Sequence, residues 1–247
     1  MYTITIFSVL AGVIGTGAGG LIGLLFKNKG NKPVSCVLSF AGGVMISVVL
    51  FDLVPEATKI AVGAGLSFWV ILVALLGGMA IIALLNFFIE TKRTKNKFSK
   101  NKLLNSGIVM AIAIGLHNLP EGIALGSSGS ISAANAVAIT VLLGLHNMPE
   151  GMAISVPLLS GGQSAKKSVA AAFLSGSVTV LGALIGFFAG SISPAVICVS
   201  LSFAAGAMTY VSFTEVFYQA YSLFGGKLTY FYAVIGIVIG MLVIFLI

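Results

Sequence analysis

The sequence predicts an all-α membrane protein of eight transmembrane helices, arranged three, two, three. Three observations carry that prediction. Apolar runs of about twenty residues recur, the length a helix needs to cross the hydrocarbon core, and no period-two alternation marks the strands of a barrel. Charged residues make up 8% of the 247 positions, against about 25% in a soluble domain, too few to cover a water-facing surface. Twelve of the thirteen Lys and Arg fall in alternate connections between the runs, a pattern that a wrong helix count would scramble.

Helix 1 covers about residues 2–26. Its start, MYTITIFSVL, lacks the basic lead of a standard cleaved signal. Lys27, Lys29 and Lys32 follow, and helix 2 (33–55) opens near Cys36. Helix 3 (66–89) ends at Glu90 and meets the loop TKRTKNKFSKNK, which holds Lys92, Arg93, Lys95, Lys97, Lys100 and Lys102. That loop has no His or Cys and reads as a solvated linker near anionic lipid. Helices 4 (103–126) and 5 (131–157) are joined so briefly that they are antiparallel neighbours. Lys166 and Lys167 precede helix 6 (168–190), helix 7 (194–222) opens near Cys198, and Lys227 separates it from helix 8 (228–247). The 31 glycines suit close packing between membrane helices.

By the positive-inside rule the four basic connections are cytoplasmic and both termini lie outside the cell membrane. Only Lys59 is on the outer side. The net charge of +7 is thereby explained without nucleic acid. Cys36 and Cys198 open spans at opposite faces, so no disulfide joins them. Small-residue faces on helices 1 and 6 suit either packing within the chain or a homodimer.

Two internal repeats stand out. At an offset of 163 residues, FAGGVMISVVLFD (40–52) falls on FAAGAMTYVSFTE (203–215), GGLIG (19–23) on GALIG (182–186), Thr16 on Thr179 and Asp52 on Glu215. Helices 1–3 therefore resemble helices 6–8. Helix 1 runs inward and helix 6 outward, so the copies are inverted around helices 4 and 5, as in many secondary transporters. The second repeat, offset by 29, is GLHNLPEGIAL (115–125) against GLHNMPEGMAI (144–154).

Each HNxPEG phrase sits near mid-membrane, His117 about 14 residues into helix 4, or ~21 Å at helical rise. His and Glu are four apart and Asn and Glu three apart, which puts them on one face. Pro120 and Pro149 each remove a backbone donor and favour a kink. Two such faces opposed offer His117, Asn118, Glu121, His146, Asn147 and Glu150. An ionised Glu at this depth costs about 2.5 kcal/mol or more and takes a partner. No Lys or Arg lies within a span, so either a bound cation supplies the counter-charge or the carboxyl stays protonated. Imidazole nitrogen with carboxylate oxygen suits zinc, iron(II), manganese or cobalt, and fits copper(I), magnesium and calcium poorly. Duplicated ionisable groups at one depth favour a metal site over packing histidines.

These residues resemble the ZIP (Zrt/Irt-like) family of divalent metal transporters, in its bacterial branch. The resemblance spans the whole chain and rests most on the doubled HNxPEG. It implies one transporter domain over 1–247, not an enzyme, that moves zinc or related metals, cadmium among them, into the cytoplasm. The metal is substrate, and no cofactor is implied. The mechanism implied is alternating access, one helix bundle sliding or rocking against another. His117, Glu121, His146 and Glu150 would hold the primary metal; Asn118 and Asn147 would join the carboxylates around a second. Members with two metals add a Glu from helix 6 in a phrase like SGxxEPLGA. Here it reads SGSVTVLGA (175–183), with Thr179 and Val180 at the Glu and Pro positions. One tightly held metal is therefore expected.

Asp52 and Glu56, near the outer end of helix 2, serve either to attract cations or as plain terminal charges. Met45, deeper in helix 2, is either a soft contact in transit or packing. Glu215 falls towards the cytoplasmic end of helix 7, where family members hold exit ligands; Glu90 reads as a terminal charge among lysines. Two other readings remain. An intramembrane metalloenzyme lacks HExxH and an evident water-activating geometry. A proton-coupled carrier of another solute explains the carboxylates but not their pairing with His.

Overall fold

The computed structural model describes residues 2–94, 101–129, 133–188 and 193–246. Among the described residues there are eight long helices and no strand: α1 (Tyr2–Phe26), α2 (Asn31–Gly63), α3 (Phe68–Thr94), α4 (Lys102–Gly129), α5 (Ala133–Ser160), α6 (Ala165–Phe188), α7 (Pro194–Leu223) and α8 (Lys227–Leu246). Seven are long and apolar enough to cross a membrane. The other, α5, has the length at 28 residues and is on average no less apolar than α4. The protein is thus an all-α membrane protein. Lys95, Lys97 and Lys100 of the basic linker, and the side chain of Glu90, lie outside the description.

Helices α2 and α5 outrun their expected ends at residues 55 and 157. In α2 a π turn, Val49–Leu53, precedes Pro55. Pro55 then falls in the first turn of the α segment Val54–Gly63, directly after the wider π turn. In α5 the helix runs through both Pro149 and Pro157. The short connections at 27–30, 64–67 and 161–164 reverse the chain each time. Lys27, Lys29, Lys32, Lys102, Lys166, Lys167 and Lys227 consequently gather at one end, called here the lysine end. Both termini lie at the other.

Packing sorts the helices into two groups of four. In one, α4 packs on α6, α1 on α5 and α6, and α4 on α5; in the other, α2 packs on α8 and α7, and α3 on α7. Glycine brings the backbones together along the main seams. A Cβ on Gly19 would strike Met148 O, and one on Gly151 would strike Thr16 O. Gly182 and Gly122 meet Leu119 O and Thr179 O in the same manner, Gly43 and Gly236 close α2 on α8, and Gly78 and Gly206 close α3 on α7. No described glycine meets a helix of the other group this closely. The groups join instead through side chains, α4 on α7 and α2 on α5.

The offset of 163 recurs in backbone detail. The π turn of α2, Val49–Leu53, falls on the π turn of α7, Ser212–Phe217. The pair Gly19 and Gly151 between α1 and α5 is matched by Gly182 and Gly122 between α6 and α4. A third π turn, Val9–Ile14 in α1, has no counterpart in α6. Both cysteines are free thiols.

Candidate metal centre

His117 and Glu121 stand one turn apart on α4, as do His146 and Glu150 on α5, because a spacing of four returns to the same face. All four are at most 3% exposed. Across the α4–α5 seam both histidines converge on one atom, Glu121 Oε1. His146 Nε2 hydrogen-bonds Glu121 Oε1 at 3.1 Å. His117 Nε2 lies 3.0 Å from the same oxygen, out of line for a hydrogen bond, and 3.5 Å from Glu150 Oε1. Glu121 Oε2, both Glu150 oxygens and both imidazole Nδ1 atoms are buried without a hydrogen-bond partner. Buried polar atoms are nearly always satisfied. So many orphans in one place make a donor set short of an acceptor for its lone pairs. Among the described residues no three His, Cys, Asp or Glu stand around a common point as a finished coordination shell. The quartet is drawn in on Glu121 Oε1 and must part to take an ion.

The asparagines also bond outward. Each follows its His by one residue, about 100° round the helix, and each reaches a neighbouring helix. Asn118 Nδ2 donates to Ser175 O of α6 at 3.2 Å, and Asn147 Nδ2 donates to Ala11 O of α1 at 3.0 Å. Ala11 lies in the π turn of α1. Both Oδ1 atoms remain buried without a partner, as do the hydroxyls of Thr16, Ser175 and Thr179. Thr179, at the position of the family Glu, packs at the α1–α6 crossing beside Gly12 and brings no charge. Sequence reading paired Thr16 with Thr179 by the repeat but gave Thr16 no part in a site.

Spaces flank the quartet on both sides. Towards the termini end, a cavity of about 360 Å³ runs from Asp52 and Glu56 to Glu121. Asp52 is half-buried in the π turn of α2, and Glu56 pairs with the exposed Lys59 at 3.3 Å, which spends part of its field. Towards the lysine end the way is shut. Met45, Ala113, Ile114, Met208 and Val211 close on His117 with no room for a water molecule. Met45 and Met208 coincide at the offset of 163 and are 1% and 2% exposed. The repeat held the signal for Met208, which motif reading passed over.

Beyond this pinch a second cavity, about 290 Å³, is lined by Glu215, Asn86, Lys102, Asn105 and Ser106. Glu215 Oε1 accepts from Asn86 Nδ2 at 2.8 Å and Oε2 from Ser106 Oγ at 2.5 Å. Neither donor was marked by the sequence, because a lone Asn or Ser in an apolar helix carries no pattern.

Comparison with known proteins points the same way. A family model described as ZIP Zinc transporter matches residues 89–247, from the end of α3 onward. The chain is 35% identical to the zinc transporter ZupT of Chlorobium chlorochromatii, covering 98% of this chain and 94% of that protein. It is 36% identical to the zinc transporter ZupT of Streptococcus mutans, over 98% and 95% of the two chains. It is 35% identical to that of Akkermansia muciniphila, over 85% of each. With the family model over more than half its length and relatives aligned nearly end to end, this eight-helix chain belongs to the ZIP zinc transporter family.

Proposed function

We propose that the chain carries divalent transition-metal ions, zinc foremost, across the cell membrane into the cytoplasm, with the ion held between α4 and α5 as substrate. Members of the family are transporters and not enzymes. The observation that carries the reading is the buried quartet His117, Glu121, His146 and Glu150, two nitrogen and two carboxylate donors from facing helices. That donor set suits zinc and also admits iron(II), manganese, cobalt or cadmium. The lysine end is cytoplasmic by the positive-inside rule, both termini are outside, and residues 1–247 act as one transport domain.

The mechanism is alternating access between inverted repeats, α1–α3 and α6–α8. The matched π turns and matched glycine seams support the repeat. The quartet belongs wholly to the group α1, α4, α5 and α6. Asp52, Glu56, Met45, Met208 and Glu215 belong to the other group. Glycine locks each group internally, while side chains alone meet across the boundary, so the boundary is where motion occurs. Here the site communicates with the outer cavity, where Asp52 and Glu56 attract incoming cations. The Met45–Met208 pinch bars the way to Glu215, the first acidic group on the exit side.

Zinc-65 uptake into proteoliposomes tests this directly. The wild-type chain should accumulate the ion. Glu215→Gln should slow uptake and leave zinc affinity at the central site unchanged. No uptake by the wild type would refute transport, and a fall in central affinity in Glu215→Gln would refute the exit role.

One tightly bound ion per chain is expected, because Asn118, Asn147 and Thr179 offer only neutral oxygens around the second position. Thr179→Glu supplies the missing charge at the α1–α6 crossing and should raise the count from one to two by elemental analysis. Two ions already in the wild type would contradict this.

A further inference from the structure

We propose that the groove between α2 and α8 at the lysine end binds an anionic phospholipid, one acyl chain lying in the groove and the phosphate at Lys32. The two helices touch backbone to backbone at Gly43 and Gly236 and meet again nearer the lysine end, where Ser35 Oγ and Thr229 Oγ1 are 3.3 Å apart. The groove beside this seam encloses about 570 Å³, walled by Val37, Phe40, Leu228 and Ile235. Between Lys32 and Phe40 it follows ~12 Å of helix, most of one leaflet's ~15 Å hydrocarbon depth. Its walls suit a hydrocarbon tail, and its mouth carries charge.

Lys32 lines the mouth, and its Nζ stands 5.7 Å from the centre of the Phe224 ring. Lys27 follows Phe26, which also lines the groove, and Lys227 precedes Leu228. Among the described residues the one Lys–carboxylate pair is Lys59 with Glu56, at the opposite end. The ammonium groups around this mouth therefore lack an anionic partner within the described protein. Apolar walls capped by unneutralised cations at headgroup depth complement an anionic lipid, and complement a zwitterionic one less well.

Cys36 lies in the groove, partly exposed, and Cys198 is fully buried, so the chain carries its own probe. The maleimide reaction rate of Cys36 is measured on the full chain in detergent with phosphatidylglycerol or phosphatidylcholine of identical chains, or with inorganic phosphate. Phosphatidylglycerol should slow labelling several-fold more than phosphatidylcholine, and phosphate alone should not slow it. Lys32→Gln should remove about five-fold of the phosphatidylglycerol effect, the contribution of one lysine near an anionic surface. Native mass spectra should show phosphatidylglycerol retained on the wild type and depleted on Lys32→Gln. Equal slowing by the two lipids, slowing by phosphate alone, an unchanged Lys32→Gln, or a wild type that retains no phosphatidylglycerol would each overturn the proposal.

Discussion

Glu121→Gln should bind zinc roughly 30-fold to several-thousand-fold more weakly than the wild type, the span of about 2–5 kcal/mol for removing one charged partner of a buried pair. Glu121 is the pivot of the quartet. Its Oε1 lies 3.0 Å from His117 Nε2 and 3.1 Å from His146 Nε2. The amide keeps the shape, so the helices still pack. It loses the charge that draws a dication into a site with few competing dipoles, and its amide N–H donates to the imidazole lone pair it now faces, which occupies a ligand the ion needs. Isothermal titration with zinc, run beside a melting curve, separates binding from folding. An affinity within a few-fold of wild type would show that Glu121 does not hold the ion. Glu150→Gln is the informative companion. Both Glu150 oxygens are orphaned, so its loss removes charge without breaking a hydrogen bond.

Gly151→Ala should be among the most destabilising single-methyl additions in the chain. The new Cβ would meet Thr16 O and Gly20 N, both backbone atoms of α1, which cannot swing aside. Overpacking costs about 1–3 kcal/mol where side chains can yield, and here the whole of α1 must move. Gly77→Ala is the matched control, since a Cβ there meets nothing within 4 Å. It exchanges glycine for the best helix former, a gain of up to about 1 kcal/mol. Thermal loss of the monodisperse peak in size-exclusion chromatography should come at clearly lower temperature for Gly151→Ala and not for Gly77→Ala. Equal melting of the two would remove backbone contact as the basis of the α1–α5 seam.

Helix number and the pairing of the two HNxPEG phrases were legible in the sequence. Both rest on strong local signals, apolar length and a four-residue spacing that recurs at matching depth. The ends of α2 and α5 were not, because each helix runs on past a proline, Pro55 and Pro157, at its expected end. A π turn, which is one residue of surplus with no compositional mark, let α2 pass Pro55. The outward partners of Asn118 and Asn147 were not legible for a related reason. Spacing alone allows a residue three before the Glu to share its face. The carbonyls that their Nδ2 atoms bond, Ser175 O and Ala11 O, are on helices far off in sequence. Asn86 and Ser106 around Glu215 belong to the same class of long-range partner. Met208 was within reach, one step from Met45 by the same offset that paired Asp52 with Glu215.

The arrangement of charge has an electrical consequence. Glu121 and Glu150 ride on the four-helix group that carries the site, and the Lys and Arg among the described residues stand near helix ends. In the proposed cycle a dication matches the two carboxylates, and the loaded group crosses the membrane field with little net charge. The empty group must return either with two negative charges or with two protons in the ion's place. Each uncompensated charge exchanges about 2.3 kcal/mol with every 100 mV. In that cycle the membrane voltage acts mainly on the return stroke of the empty carrier, and the proton supply on each side sets how strongly.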